Sequence, residues 1–269
     1  MKRVLEPTTT DAGALFAGLV TVSLWASAFV GIRSAGHAFS PGGLALGRVL
    51  VSTTVLSAIA LVRREALPSR RDLGGIAVYG LLWLGVYSVV LNEAERRVDA
   101  GTAAMLVNTG PILIAVLAGL FLHEGFPRKL LLGCGVAFVG TAIIAVATSD
   151  TSATAGWGAV LCLVAAFAYA SAVIAQKPIV ARVSGLQVTW LACVAATIAL
   201  LPFAPQLERQ LGSAGHGAIL WTIYLGVFPT AIGFVLWSYA LRRTSAGRMG
   251  SLTYLAPPDR HPLELAASR

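Results

Sequence analysis

Charge is scarce in this chain. Only 12% of its 269 residues are Asp, Glu, Lys or Arg, against roughly a quarter in soluble domains. That scarcity excludes the surface of a soluble enzyme, although the length alone would suit one or two soluble domains. Cysteine is scarce too. Cys134, Cys162 and Cys193 all lie in apolar runs and none has CxxC spacing, so neither a disulfide framework nor a zinc site is expected. Ten-residue alternation of polar and apolar residues is missing, which excludes a membrane β-barrel. Carboxylates are missing from the apolar runs: Glu93, Glu95 and Glu124 read as span ends. The carboxylate relay common in proton-driven pumps is therefore not expected; the reading is a facilitator or exchanger. Histidine gives no metal or catalytic cluster. His37, His123 and His216 fall in loops and His261 in the tail. Only the adjacent His123-Glu124 pairs with an acid, and it reads as a solvated helix end. An intramembrane enzyme, which needs a nucleophile and base or metal ligands close together, is disfavoured. No cofactor is expected.

What the chain has in abundance is apolar sequence. Hydrophobic residues make up 57% and the mean hydropathy is +0.78. Runs of about 20 apolar residues recur, enough to cross a ~30 Å hydrocarbon core as helices. The fold class is all-α and polytopic, with spans expected near 14–33, 42–62, 73–92, 101–122, 130–148, 156–176, 185–204 and 217–241 and a ninth starting near 246. Breaks at Ser40-Pro41-Gly42, Gly125-Phe126-Pro127 and Pro202 to Pro205 separate several of them. The net charge of +8 does not indicate nucleic acid, because the basic residues form no stripe and have no interleaved stacking aromatics. They sit in short loops. With the N-terminus inside, thirteen Lys and Arg fall on the cytoplasmic side, among them Arg63, Arg64, Arg70 and Arg71, and four (Arg33, Arg96, Arg97, Arg209) fall outside. That bias sets the N-terminus in the cytoplasm of a plasma (inner) membrane protein.

Residues 242 to 258 repeat residues 96 to 112. Arg96-Arg97-Val98-Asp99-Ala100-Gly101 corresponds to Arg242-Arg243-Thr244-Ser245-Ala246-Gly247, and Pro111 to Pro257, at a constant offset of 146. Five spans make one unit, and an odd number inverts the second copy relative to the first, a common ground plan of secondary transporters. The expected organisation is a cytoplasmic segment 1–13, a first five-helix repeat 14–148, an incomplete second repeat 156–258 and a polar tail 259–269. Lys2-Arg3 and Ala26-Ser27-Ala28 resemble a cleaved signal. Tyr169-Ala170-Ser171-Ala172, however, repeats Trp25-Ala26-Ser27-Ala28 inside a later span, so the first helix is expected to be retained.

At these residues the chain resembles the EamA family of the drug/metabolite transporter superfamily. The matching pieces are Leu24-Trp25-Ala26-Ser27-Ala28-Phe29, Pro41 with Leu46-Gly47-Arg48, Asn108-Thr109-Gly110-Pro111 and Ala240-Leu241-Arg242-Arg243-Thr244-Ser245-Ala246-Gly247. His123-Glu124 stands where the family usually has Gly-Glu. The resemblance covers residues 14 to 258. It implies ten helices in two halves, and export or exchange of small metabolites, often amino acids or drugs, through a central cavity by alternating access. The partners it implies are a small-molecule metabolite and the lipid bilayer. It names neither the cargo nor the oligomeric state, and a homo-oligomer is compatible with it.

The second copy stops early. From Ala246 to Pro258 a helix would span about 20 Å at ~1.5 Å per residue, and Asp259-Arg260 would enter the membrane next, at roughly 2.5–3.5 kcal/mol each. Back-translated with chosen codons and read one base on, the tail encodes the apolar run IAILWSWLLLG. The expectation is a truncated transporter, eight full spans with a partial ninth, whose gene gained a base after the Pro258 codon. On this reading the chain is impaired or a non-functional product; a genuine short variant is the alternative.

Candidate substrate-binding residues are Trp25, Arg48, Tyr79, Trp83, Asn108, Tyr169 and Trp237. Arg48 is the one charge within a span, and intramembrane charge marks function; snorkelling to the interface, with Pro41 close by, competes. Asn108 lies three residues before Pro111, which frees a carbonyl one turn earlier, and polar groups gather where such breaks line a cavity. For the aromatics the competing role is the interfacial belt. Ser27, Tyr87, Ser171, Gln176 and Tyr254 are further polar candidates, with helix packing as the competing role.

Overall fold

The computed structural model describes residues 11–126 and 153–255, with residues 132, 133, 135, 136 and 139 between them. Among these residues the chain is helical and contains no strand. Seven helices are long and apolar enough to cross a membrane: α1 (Ala12–Gly36), α2 (Pro41–Val62), α3 (Arg70–Ala94), α4 (Gly101–Phe121), α5 (Gly156–Val180), α6 (Gly185–Leu211) and α7 (His216–Arg243). A short α8 (Ala246–Leu252) follows. The spans expected from hydropathy match these seven within a few residues. The expected span at 130–148 lies almost wholly outside the described residues, and so does the tail from 256 onward. Beyond α8 only the turn Thr253–Leu255 is described, so eight or nine spans are not shown.

Polar caps explain where the helices start. Asp11, Ser40, Ser69, Asp99, Ser184 and Ser245 each accept a backbone N–H from the first turn of the helix that follows. Ser184 adds a full capping box with Gln187. Between caps the helices are apolar on nearly every face. Large side chains such as Phe16, Leu61, Leu120 and Phe167 point away from the protein, as lipid-facing surface does.

The core is built by pairing helices across the two halves of the sequence. α1 packs along α7, α2 along α6, α3 against α5 and α6, and α4 against α5 and α8. Three sets of contacts recur at the sequence offset. Thr53 and Thr197 hydrogen-bond to each other at 2.9 Å. Arg33 Nη1 donates to the carbonyls of Glu95 and Val98, and Lys177 Nζ, its counterpart in the repeat, donates to those of Leu241 and Thr244. Both cations thus satisfy helix C-terminal carbonyls, the end that favours positive charge. A Cβ on Gly80 would stand 2.5 Å from the Ala192 carbonyl oxygen, and one on Gly226 2.7 Å from that of Arg48. At each site the missing side chain lets two helices cross closely.

Three helices depart from regular geometry in their middles. α3 widens into a π-helix over Gly80–Tyr87, and α7 does so over Gly226–Ile232. π turns are rare and concentrate at functional sites. The first helical segment of α4 is Ala100–Val107 and the second Gly110–Phe121, with Asn108 and Thr109 in the break. This is the interruption expected from Asn108 and Pro111.

Candidate functional site

Two of the irregular segments, the π segment of α3 and the break in α4, line one cavity. Its wall includes Trp25 and Phe29 of α1, Arg48 of α2, Trp83, Tyr87 and Ser88 of α3, Asn108 at the α4 break, Tyr169 of α5 and Phe234 of α7. Trp25, Arg48 and Tyr169 stand on regular helix, and the α7 π segment reaches the site through the bond of Thr230 to Arg48.

One end of the cavity is aromatic. Trp83 is the hub, with ring centroids 4.7 Å from Tyr169, 4.9 Å from Phe234 and 5.4 Å from Trp25. Tilted and edge-on contacts of this kind add to the burial of each ring. Trp25 is held in place by its indole N–H, which donates to the Pro229 carbonyl at 3.1 Å.

Polar groups on the wall are few and one is cationic. Arg48 is only 5% exposed, so it sits inside the protein rather than at the lipid interface. Its Nε and Nη2 donate to Thr230 Oγ1 at 3.2 and 3.0 Å. Thr230 Oγ1 in turn donates to the Leu225 carbonyl at 2.7 Å. Pro229, four residues on in the π segment, has no N–H for the regular i→i+4 bond to that carbonyl. Thr230 thus ties Arg48 of α2 to the irregular turn of α7. Ser52 ties the same helices together, donating to the carbonyls of Arg48 and Gly226. Asn108 also lines the cavity, and its side-chain amide makes no hydrogen bond among the described residues. Among the described residues no Asp or Glu lines this cavity.

Five of the seven candidates from the sequence therefore come together here: Trp25, Arg48, Trp83, Asn108 and Tyr169. Tyr79 and Trp237 do not reach the wall. Tyr79 is fully buried behind Trp83, with ring centroids 5.9 Å apart. Trp237 is fully buried behind Trp25 and donates its indole N–H to Gln176 Oε1. Gln176 then donates to Ser238, so these residues form a satisfied polar knot in the core. Sequence reasoning missed Ser88, Phe234 and Thr230. The Pro229-Thr230 pair was a usable signal, since proline frees a carbonyl that a following threonine hydroxyl can take.

A second cavity adjoins the first through Ile32, which lines both. Its wall includes Arg33, His37, Asn92, Glu95 and Arg96. Glu95 lies at the end of its span, as expected, but it is buried there, and both carboxylate oxygens lack a hydrogen-bond partner. Burial pushes its carboxyl well above the usual carboxylate range, while Arg33 and, less strongly, Arg48 pull the other way. Glu124, read as a solvated helix end, instead accepts the backbone N–H groups of Ala246 and Gly247 at the start of α8. Among the described residues no cluster of His, Cys, Asp or Glu could hold a metal ion.

An all-helical bundle with seven helices long and apolar enough to cross a membrane, packed around an aromatic cavity, has the architecture of a membrane transport protein. The chain belongs to the EamA-like transporter family, whose model matches it twice, over residues 12–146 and 156–257. It is 37% identical to a "Probable terminal-alkyne amino-acid exporter" of Streptantibioticus cattleyicolor, over 91% of this chain and 82% of that one. It is 31% identical to an uncharacterized transporter of Bacillus subtilis, over 88% and 77% of the two chains. A "Probable amino-acid metabolite efflux pump" of Salmonella typhimurium is 27% identical over 90% and 82%. A solved structure superposes with a TM-score of 0.73 at 20% identity, covering 92% of this chain and 85% of the other; that likeness concerns the fold.

Proposed function

We propose that this chain exports or exchanges small carboxylate-bearing metabolites, apolar amino acids foremost, across the plasma membrane. The observation that carries this reading is the main cavity, where one buried arginine faces the space beside an aromatic box and no acid among the described residues shares the wall. Arg48 is suited to a carboxylate, which it can engage through two parallel N–H bonds. The ring faces of Trp25, Trp83 and Tyr169 suit an apolar side chain, and the Asn108 amide suits the polar backbone of an amino acid. The names of two relatives point the same way. In this reading Trp25, Arg48, Trp83, Asn108 and Tyr169 contact the substrate, while Tyr79 and Trp237 support them from behind.

Alternating access would come from two inverted halves, with the N-terminus in the cytoplasm. The double family match, the contacts that recur at the repeat offset and the basic bias of the loops support this arrangement. Counterflow into proteoliposomes tests the function. Vesicles loaded with unlabelled leucine should accumulate labelled leucine, and isoamylamine, which lacks the carboxylate, should compete only weakly. Accumulation no greater than in protein-free vesicles, across leucine, valine, methionine and phenylalanine, would refute it.

A further inference from the structure

Glu95 presents a problem in charge. A buried carboxylate without hydrogen-bond donors is costly as an anion, yet two arginines are its strongest electrostatic neighbours, Arg33 and then Arg48. Arg33 is committed to backbone: its Nη1 holds the Glu95 and Val98 carbonyls. Arg48 has Thr230 as its only hydrogen-bond partner among the described residues and faces the main cavity. Glu95 faces the adjoining cavity. The other titratable groups turned toward Glu95 are His37 and Arg96 on the second cavity, Tyr87 of α3 and Cys162 of α5. None of them is an anion at neutral pH, so among the described residues Glu95 is the internal counter-charge available to Arg48.

A ligand carboxylate entering the main cavity would put a second anion beside Arg48. Two carboxylates sharing one site cannot both stay ionised cheaply. We propose that Glu95 is a proton-binding site coupled to Arg48: a ligand carboxylate replaces Glu95 as the counter-charge of Arg48, and Glu95 takes up one proton through the second cavity. The coupling rests on the carboxylate-transport reading above, whereas the proton site does not. The charge of the pair is the same before and after binding, and the proton moves with the carboxylate. Arg48 is then both a binding group and the link between cargo and proton.

Two measurements on the purified full chain separate these parts. Infrared difference spectra over a pH series that starts near the ordinary glutamate value of about 4.3 and climbs into the alkaline range should show a buried carboxylic acid band that Glu95→Gln abolishes. A band that survives in the variant, or none in wild type, overturns the proton site whether or not any cargo binds. Leucine affinity, measured over the same range, should fall by up to about tenfold per pH unit above the Glu95 titration and should become flat in Glu95→Gln. Leucine binding in weak buffer should take up about one proton per site, a wild-type readout that does not depend on the variant folding. Binding without proton uptake overturns the coupling. Failure of leucine to bind at any pH refutes the transport reading and with it the coupling, while the infrared band still decides the proton site.

Discussion

Replacing Arg48 with methionine tests the site most directly. Methionine is close in length and apolar, so it fills the space without charge. The change strands little: Thr230 Oγ1 keeps its own bond to the Leu225 carbonyl, and Glu95, left without the Arg48 charge, avoids a buried unpaired anion by keeping its proton. The variant should therefore fold, with a melting temperature in detergent near that of wild type. Its cost should appear in binding. A hydrogen bond to a charged group is worth about 1.5–3 kcal/mol, and each 1.4 kcal/mol is about tenfold in affinity. Leucine should bind about 10- to 150-fold more weakly to Arg48→Met. Isoamylamine, identical but for the carboxylate, should lose nothing. Direct binding by scintillation proximity, with both ligands on both proteins, gives a four-way comparison in which only the arginine–carboxylate pairing fails to cancel. Equal losses for leucine and isoamylamine would show that Arg48 shapes the cavity without recognising the acid, and no loss for either would remove it from the site.

The same reasoning gives further expectations. Gly80→Ala drives a Cβ to 2.5 Å from a backbone oxygen of α6 and should cost about 1–3 kcal/mol, seen as a lower melting temperature. Gly74→Ala in the same helix meets nothing within 4 Å and should be neutral or stabilising by up to ~1 kcal/mol; equal behaviour of the pair would contradict the close crossing. Gln176→Leu leaves the buried Trp237 N–H without an acceptor and should cost about 1–3 kcal/mol, with leucine affinity little changed in the protein that remains folded; a selective loss of affinity would put Trp237 back at the cavity. Glu95 holds its proton more tightly when folded, because burial raises its carboxyl. Its contribution to stability is then full below the ordinary carboxylate range and is lost as pH rises through its own titration. Wild type should lose melting temperature on alkalinisation more steeply than Glu95→Gln, and parallel slopes would sink this assignment.

Much of the fold was legible because membranes simplify the code. A run of 20 apolar residues has one cheap conformation in hydrocarbon, the helix, so hydropathy located Ala12–Gly36 and Pro41–Val62 within a few residues. The Asn108 break was legible too, since proline leaves a local mark. Five site residues could be named because polar and aromatic side chains in a span are few. Tyr79 and Trp237 look the same in sequence as Trp25 and Trp83; what separates them is one layer of packing, which composition does not encode. The burial of Glu95 was not legible for a related reason. Glu95 lies one residue past the end of α3, where a sequence reads solvent, but α1 and α2 cover it. The wide turns at Gly80 and Gly226 left no periodic signature, because both segments are apolar on every face.

Those two wide turns also begin at close helix crossings. Gly80 opens one and Gly226 the other, and a Cβ at either would fall within 2.7 Å of a neighbouring backbone oxygen. The least regular stretch of each helix thus starts at a position that tolerates no side chain, so any redesign of these helices has to leave both glycines alone.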